Sequence, residues 1–141
     1  MQSEEKELLD ACRKYDKHAR MAWVKMLSFY PHYAKYCTKW AEFDRCDWTG
    51  LLIFQPQFAD LCPMEKFTVG DWFFLLLTQI GFADKCPVWA QFSTSQWVAL
   101  LHRHPETADR CHCWKDFSDR EYEKIMEVQP ALAERFKDYR D

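Results

Sequence analysis

His102-x-His104 is followed by Cys111-His112-Cys113, so five side chains able to bind a borderline metal lie within twelve residues. The two histidines stand at i and i+2, which on a helix face different directions. Neither this spacing nor that of the cysteines matches the usual zinc patterns. Cys113 with His112 or His104 could also form a thiol–imidazole pair. A metal-binding or redox protein built on residues 102–113 is therefore one alternative to the reading reached below. Asp60, Asp84, Asp109 and Glu134 recur at one interval, as solvated or helix-contacting carboxylates do, and not as a catalytic pair. No glycine-rich phosphate loop and no nucleophile elbow occurs, so neither an enzyme nor a cofactor is expected.

The elements that must position these residues repeat. Trp23, Trp48, Trp72, Trp97 and then Tyr122 follow one another at steps of 25, 24, 25 and 25. Each is followed by an apolar pair: Met26-Leu27, Leu51-Leu52, Leu75-Leu76, Leu100-Leu101 and Ile125-Met126. Pro31, Pro56, Pro105 and Pro130 form the next column, with Ile80 as the exception. Beyond them stand Tyr33-Ala34, Phe58-Ala59, Phe82-Ala83, Thr107-Ala108 and Leu132-Ala133, then Cys37, Cys62, Cys86, Cys111 and Phe136. A second aromatic column holds Trp40, Trp89, Trp114 and Tyr139, with Met64-Glu65 in the place between, and Phe43, Phe67, Phe92 and Phe117 follow. So many columns at one period define a tandem-repeat protein.

Just before the anchors stand Asp44-x-x-Asp47, Thr68-x-x-Asp71, Ser93-x-x-Gln96 and Ser118-x-x-Glu121. These are capping boxes, although aspartate at the fourth position is a weaker partner than Glu or Gln. A helix follows with the anchor and apolar pair on one face, and the proline ends it and opens a second, shorter helix. Stacked helical hairpins give an all-α fold, an α-solenoid of about four and a half repeats. One domain is expected over 1–141, with an N-terminal capping helix in 1–20 and repeats in 21–141. Residues 3–19 fit one helix with Ser3 as N-cap, Glu4 and Glu5 in its first turn, and Leu9, Cys12 and Tyr15 as a half-repeat. The join to the first full repeat lacks a capping box, since Ala19 occupies that place.

Equivalent positions of packed neighbouring helices lie roughly 8–10 Å apart. A disulfide needs Cα atoms within about 4.4–6.8 Å, and zinc needs every ligand within about 2.0–2.3 Å of one point. The columnar cysteines are therefore read as buried structural thiols.

A chain of 141 residues with 48% hydrophobic and 17% aromatic content can bury a sizeable core, and its net charge of −3 excludes a general polyanion binder. Arg13, Lys14, Lys17, Arg20 and Lys25 make a basic run, but Asp10 and Asp16 interrupt it, so direct nucleic-acid binding is not expected. The N-terminus has no secretory h-region, and the longest apolar run, Trp72 to Leu77, is far short of the ~20 residues that cross a bilayer. With seven cysteines, an odd number, a reducing, cytoplasmic setting is expected.

The stretches Gln55–Cys62 (QPQFADLC) and Gly81–Cys86 (GFADKC), with the tryptophan columns, resemble the short QPQFADKC-and-tryptophan repeats of tandem arrays in uncharacterised bacterial proteins. The resemblance runs from about Trp23 to Tyr139, departs from the pattern at Ile80, Met64-Glu65 and Thr107, and implies a helical repeat fold without catalytic residues.

Function must then lie in what does not repeat. Offsets 2, 5 and 6 from the anchor turn away from the core side at 100° per residue. There the chain carries Phe29, Ile53, Phe54, Phe74 and Leu77, then His102 and Arg103 in the fourth repeat. A charge-poor, aromatic middle is expected to bind another protein, unless Phe74 and Ile53 pack between repeats. A short, acidic, non-enzymatic binder is similar in kind to phage inhibitors of host defence, including anti-CRISPR proteins. That likeness implies a CRISPR effector nuclease as partner, with its DNA-recognition surface occluded. Self-association of a structural repeat fragment is the other alternative.

Overall fold

The computed structural model describes residues 3–14 and 17–134. Among them there are helices and no strand, and no helix is long and apolar enough to cross a membrane. The α-helices are α1 (Ser3–Cys12), α2 (Lys17–Phe29), α3 (Arg45–Phe54), α4 (Val69–Thr78), α5 (Thr94–Arg103) and α6 (Asp119–Val128).

Capping side chains open α3 to α6 as the sequence requires. The Asp47 amide donates to Asp44 Oδ1 (2.8 Å) and the Asp44 amide to Asp47 Oδ2 (2.9 Å). Thr68 with Asp71, Ser93 with Gln96 and Ser118 with Glu121 make the same reciprocal pair. The aspartates at 47 and 71 close their boxes with distances like those of Gln96 and Glu121, so the shorter carboxylate is no handicap here.

Burial explains why these helices stay folded, since ten-residue helices are marginal alone. Met26, Leu27, Leu51, Leu52, Leu75, Leu76, Leu100, Leu101 and Ile125 are 0% exposed, and Trp23, Trp48, Trp72 and Trp97 no more than 5%. Each such side chain contributes about 1.5–3 kcal/mol on leaving water. Tyr122 and Met126, at the same columns of the last repeat, are half-buried.

The second, shorter helix expected in each hairpin is present and is a 3-10 helix. Pro31–Tyr36, Pro56–Leu61, Ile80–Lys85 and Pro105–Arg110 are 3-10 helices of six residues. Their i→i+3 bonds, such as Phe58 N–H to Gln55 O (3.2 Å), form at once in a segment too short for α nucleation. Ile80 opens its 3-10 helix as the prolines open theirs. A further three-residue 3-10 turn begins at Trp40, Met64, Trp89 and Trp114, and Met64 thus holds the missing tryptophan's place. Each full repeat is one α-helix and two 3-10 segments.

The single helix expected over 3–19 is corrected. α1 begins at Ser3 and ends at Cys12, and α2 starts at Lys17. The Trp23 indole N–H donates to the Cys12 carbonyl (3.1 Å), occupying an acceptor that a continuous helix would use internally. Ala19 lies inside α2, fully buried, where its small side chain permits close packing. The expectations for Tyr15, Phe136 and Tyr139 lie outside the described residues.

The chain groups into two compact units, Met1–Asp71 and Trp72–Asp141, whose boundary falls inside α4. In the first, α2 packs against α1 and α3; in the second, α5 packs against α6.

Candidate protein-binding surface

Within each unit a polar residue that follows one helix closes the end of the helix before it. Gln55 Nε2 donates to the Ser28 carbonyl (2.7 Å), His104 Nε2 to that of Leu77 (3.0 Å) and Gln129 Nε2 to that of His102 (3.0 Å). A carbonyl only accepts, so His104 carries its proton on Nε2. The column was visible as Tyr30, Gln55, Gln79, His104 and Gln129, each just ahead of the proline or Ile80, yet residue type alone does not reveal which carbonyl it reaches.

The helix starts are tied differently in the two units. Arg20 lies 3.3 Å from Asp47 and 3.6 Å from Asp44, and Arg45 donates to Asp71 at 2.9 Å. The Arg20 Nε–Asp47 contact is an ion pair by distance without the alignment of a hydrogen bond. At the equivalent place in the second unit Thr94 hydrogen-bonds Glu121. The Asp47 backbone amide holds the Asp44 carboxyl below its ordinary range, whereas burial pushes Asp47 up. Burial also raises Asp71, but hydrogen bonds from Thr68 and Arg45 outweigh it and leave that carboxyl low.

These contacts hold the helices so that part of the expected surface faces water. Phe29 and Phe54, at the same repeat position, are 54% and 58% exposed, with ring centres 5.8 Å apart. Phe74, in the second unit, is 61% exposed. His102 and Arg103 are exposed, but Ile53 and Leu77, which share offset 5 with His102, are half-buried. The structure thus pairs Phe29 with Phe54, leaves Phe74, His102 and Arg103 in solvent in the other unit, and withdraws Ile53 and Leu77 partly into the packing.

The residue 102–113 cluster does not converge. His104 is turned to the Leu77 carbonyl through Nε2 and to Glu106 through Nδ1 (3.4 Å). Cys111 Sγ lies 3.7 Å from Cys113 Sγ, but among the described residues no group of three or more His, Cys, Asp or Glu is placed to hold a metal. Burial pushes the Cys111 thiol up to about 12 and raises Cys113, so both stay protonated and are poor ligands and nucleophiles at neutral pH. All seven cysteines are free thiols, with Cys62 pushed up to about 12 and Cys37 and Cys86 raised, again by burial. Asp60, Asp84, Asp109 and Glu134 are exposed. The basic run is split, with Arg13 and Lys14 beyond the end of α1 and Lys17, Arg20 and Lys25 in α2, and its Arg20 is paired to acids.

One surface the sequence did not point to is an open groove of about 700 Å³ in the first unit. Its floor is the stacked pair Trp40 and Trp48 with Phe43, and Leu61, Lys66 and Asp44 stand along its edges. Its signal in the sequence is Leu61, at a column where Lys85 and Arg110 stand in later repeats.

No family model, no curated protein and no solved structure matches this chain.

Proposed function

We propose that this chain is a non-enzymatic repeat module that binds another protein through the Phe29–Phe54 ridge. The pairing of those two rings, each more than half exposed, is the observation that carries the reading. Covering the exposed part of such a ring contributes about 1 kcal/mol, and aromatic residues dominate binding energy at interfaces. In its most specific form the module is an inhibitor that occludes the DNA-recognition surface of a defence nuclease of the CRISPR type. Such surfaces are basic, and a chain of net charge −3 approaches them with favourable electrostatics.

The test is capture on immobilised CRISPR effector nucleases, wild type against Phe29→Ser/Phe54→Ser. The expected result is stoichiometric capture, lost in the double variant while its circular dichroism spectrum stays unchanged. A double variant that binds as well as wild type would remove the ridge from the interface. Sedimentation separates the self-association reading: reversible oligomers that vanish in the variant would make the partner a second copy of this chain.

A further inference from the structure

Cysteine fills one repeat column, but Cys113 lies two residues beyond it. The column cysteines Cys37, Cys62, Cys86 and Cys111 are followed at that distance by Lys39, Met64, Val88 and Cys113. The backbone there follows the repeat, whatever the residue. Cys37 (φ −73°, ψ 128°), Cys86 (−74°, 120°) and Cys111 (−84°, 126°) are extended. Lys39 (−110°, 8°), Val88 (−114°, 19°) and Cys113 (−111°, 30°) then turn into the next 3-10 segment. In all three the later amide donates to the column sulfur, at 3.5 Å for Lys39.

The fourth repeat places a second thiol on this path. Cys111 Sγ and Cys113 Sγ lie 3.7 Å apart, so both Cβ–Sγ bonds already aim at one place. A disulfide is about 2 Å long, and partial rotation about the Cys113 Cα–Cβ bond closes a gap of that order. Cys111 is buried and Cys113 half-buried, so a reagent in solvent meets Cys113 first.

We propose that Cys111 and Cys113 form a reversible dithiol–disulfide site, closed by exchange with a small-molecule disulfide of the glutathione kind. The Cys113 thiol gives its proton to water and its sulfur attacks the reagent, whose S–S bond breaks to release one thiolate. Cys111 then loses its proton, attacks the Cys113 sulfur of the mixed disulfide and expels the second thiolate. The pair gives up two protons and two electrons, and the reagent becomes two thiols. Because the second step joins sulfurs already in contact, it outruns release of the reagent by a further thiol. Burial above all, and then the carboxylates of Asp116 and Glu121 beside Cys113, keep the thiols protonated at neutral pH and make the first step slow there. No residue of the Phe29–Phe54 ridge takes part, so the inference does not depend on the function proposed for that ridge.

The test equilibrates the full-length protein with oxidised and reduced glutathione in mildly alkaline buffer, then blocks open thiols with an alkylating agent. Trypsin cuts after Arg110 and Lys115, and the peptide between them carries both cysteines and no other. That peptide is expected to lose the mass of two hydrogens and take no alkyl label, and dithiothreitol should restore both labels. Cys113→Val, which copies the third repeat, should leave Cys111 fully labelled with an unchanged circular dichroism spectrum. Val88→Cys puts a thiol beside Cys86 on the same path and should yield a second closed pair. A wild-type peptide that stays fully labelled, keeps glutathione on Cys113 or bridges to another cysteine would overturn the proposal. Closure only with loss of the native circular dichroism, or a folded Val88→Cys protein that closes no second pair, would overturn it as well.

Discussion

The two compact units are built from the same columns and finished differently. In the first, α3 and α4 start with arginine–aspartate pairs, a Phe29–Phe54 ridge faces solvent and an aromatic groove stays open. In the second, Thr94 with Glu121 replaces an ion pair, Arg103 stands where Phe54 does, and Arg110 covers the Trp89 ring. Core columns stay apolar in both and every cap keeps a reciprocal pair, because burial and unsatisfied amides leave few acceptable residues. Offsets 6 and 13, which meet water, differ. The proposed binding therefore belongs to the outward columns, where the first unit carries Phe29, Phe54, Tyr36 and Leu61.

The largest effects should fail to distinguish the units. Leu51→Ala and Leu100→Ala each empty a 0% exposed site, and each is expected to cost about 2–5 kcal/mol in urea unfolding. A near-neutral result in one unit alone would show that its column is not core.

Caps should begin to separate them. Ser118→Ala removes one acceptor and is expected to cost about 1 kcal/mol. Asp44→Ala removes an acceptor and also the Arg20 contact, so its cost should be at least as large. Adding salt should narrow the gap, since only the ion pair is screened.

Acid gives a directional test. Asp44, Asp71 and Glu121 have lowered folded-state values, so their stabilisation is present above the ordinary values of 3.8 and 4.5 and is lost as pH falls through the folded ones. Asp47 is raised by burial, so its ionisation opposes folding at neutral pH, and that opposition is relieved as pH falls through its folded value. Hydrogen exchange should show the amides of Asp47 and Asp71, and the amide of Ser118 that donates to Glu121, losing protection as pH falls, and a gain in protection on acidification would contradict the lowered values.

A smaller exchange sharpens the comparison most directly. Arg110→Leu should open a groove in the second unit and cost no more than about 1 kcal/mol. Leu61→Arg should return less than that in the first, where Lys35 stands at the place of Asp84, read as a smaller change in Tm. The smallest stability change, within about 0.5 kcal/mol, is expected for Phe29→Ser/Phe54→Ser, whose rings already face water.

Much of this was legible in the chain. The capping residues, the tryptophan anchors and the leucine pairs are local or periodic signals, and a period of 24 or 25 residues repeats them until they are unmistakable. The 3-10 character of the second segment was not legible, because aromatic, alanine and cysteine spacing suits both helix types over six residues. Nor was the break after Cys12, which depends on an indole reaching back from Trp23. At the candidate surface, outward turning was read correctly for Phe29, Phe54 and Phe74 but not fully for Ile53 and Leu77, since an angle around one helix says nothing about the width of its neighbour. The groove depends on Leu61, which stands almost one repeat beyond Trp40 on its floor.

The bonds from Gln55, His104 and Gln129 have a bearing on how such a chain lengthens. Each of these three brings a donor for the preceding segment, which offers the carbonyl, so a duplicated segment of this kind arrives with both halves of its junction already written. Loss is not symmetrical. Deleting a segment at the front leaves an idle amide or imidazole, which water satisfies freely, whereas deleting one at the back uncaps a helix end that was closed. Such an array has a direction, and trimming it is gentler from the front.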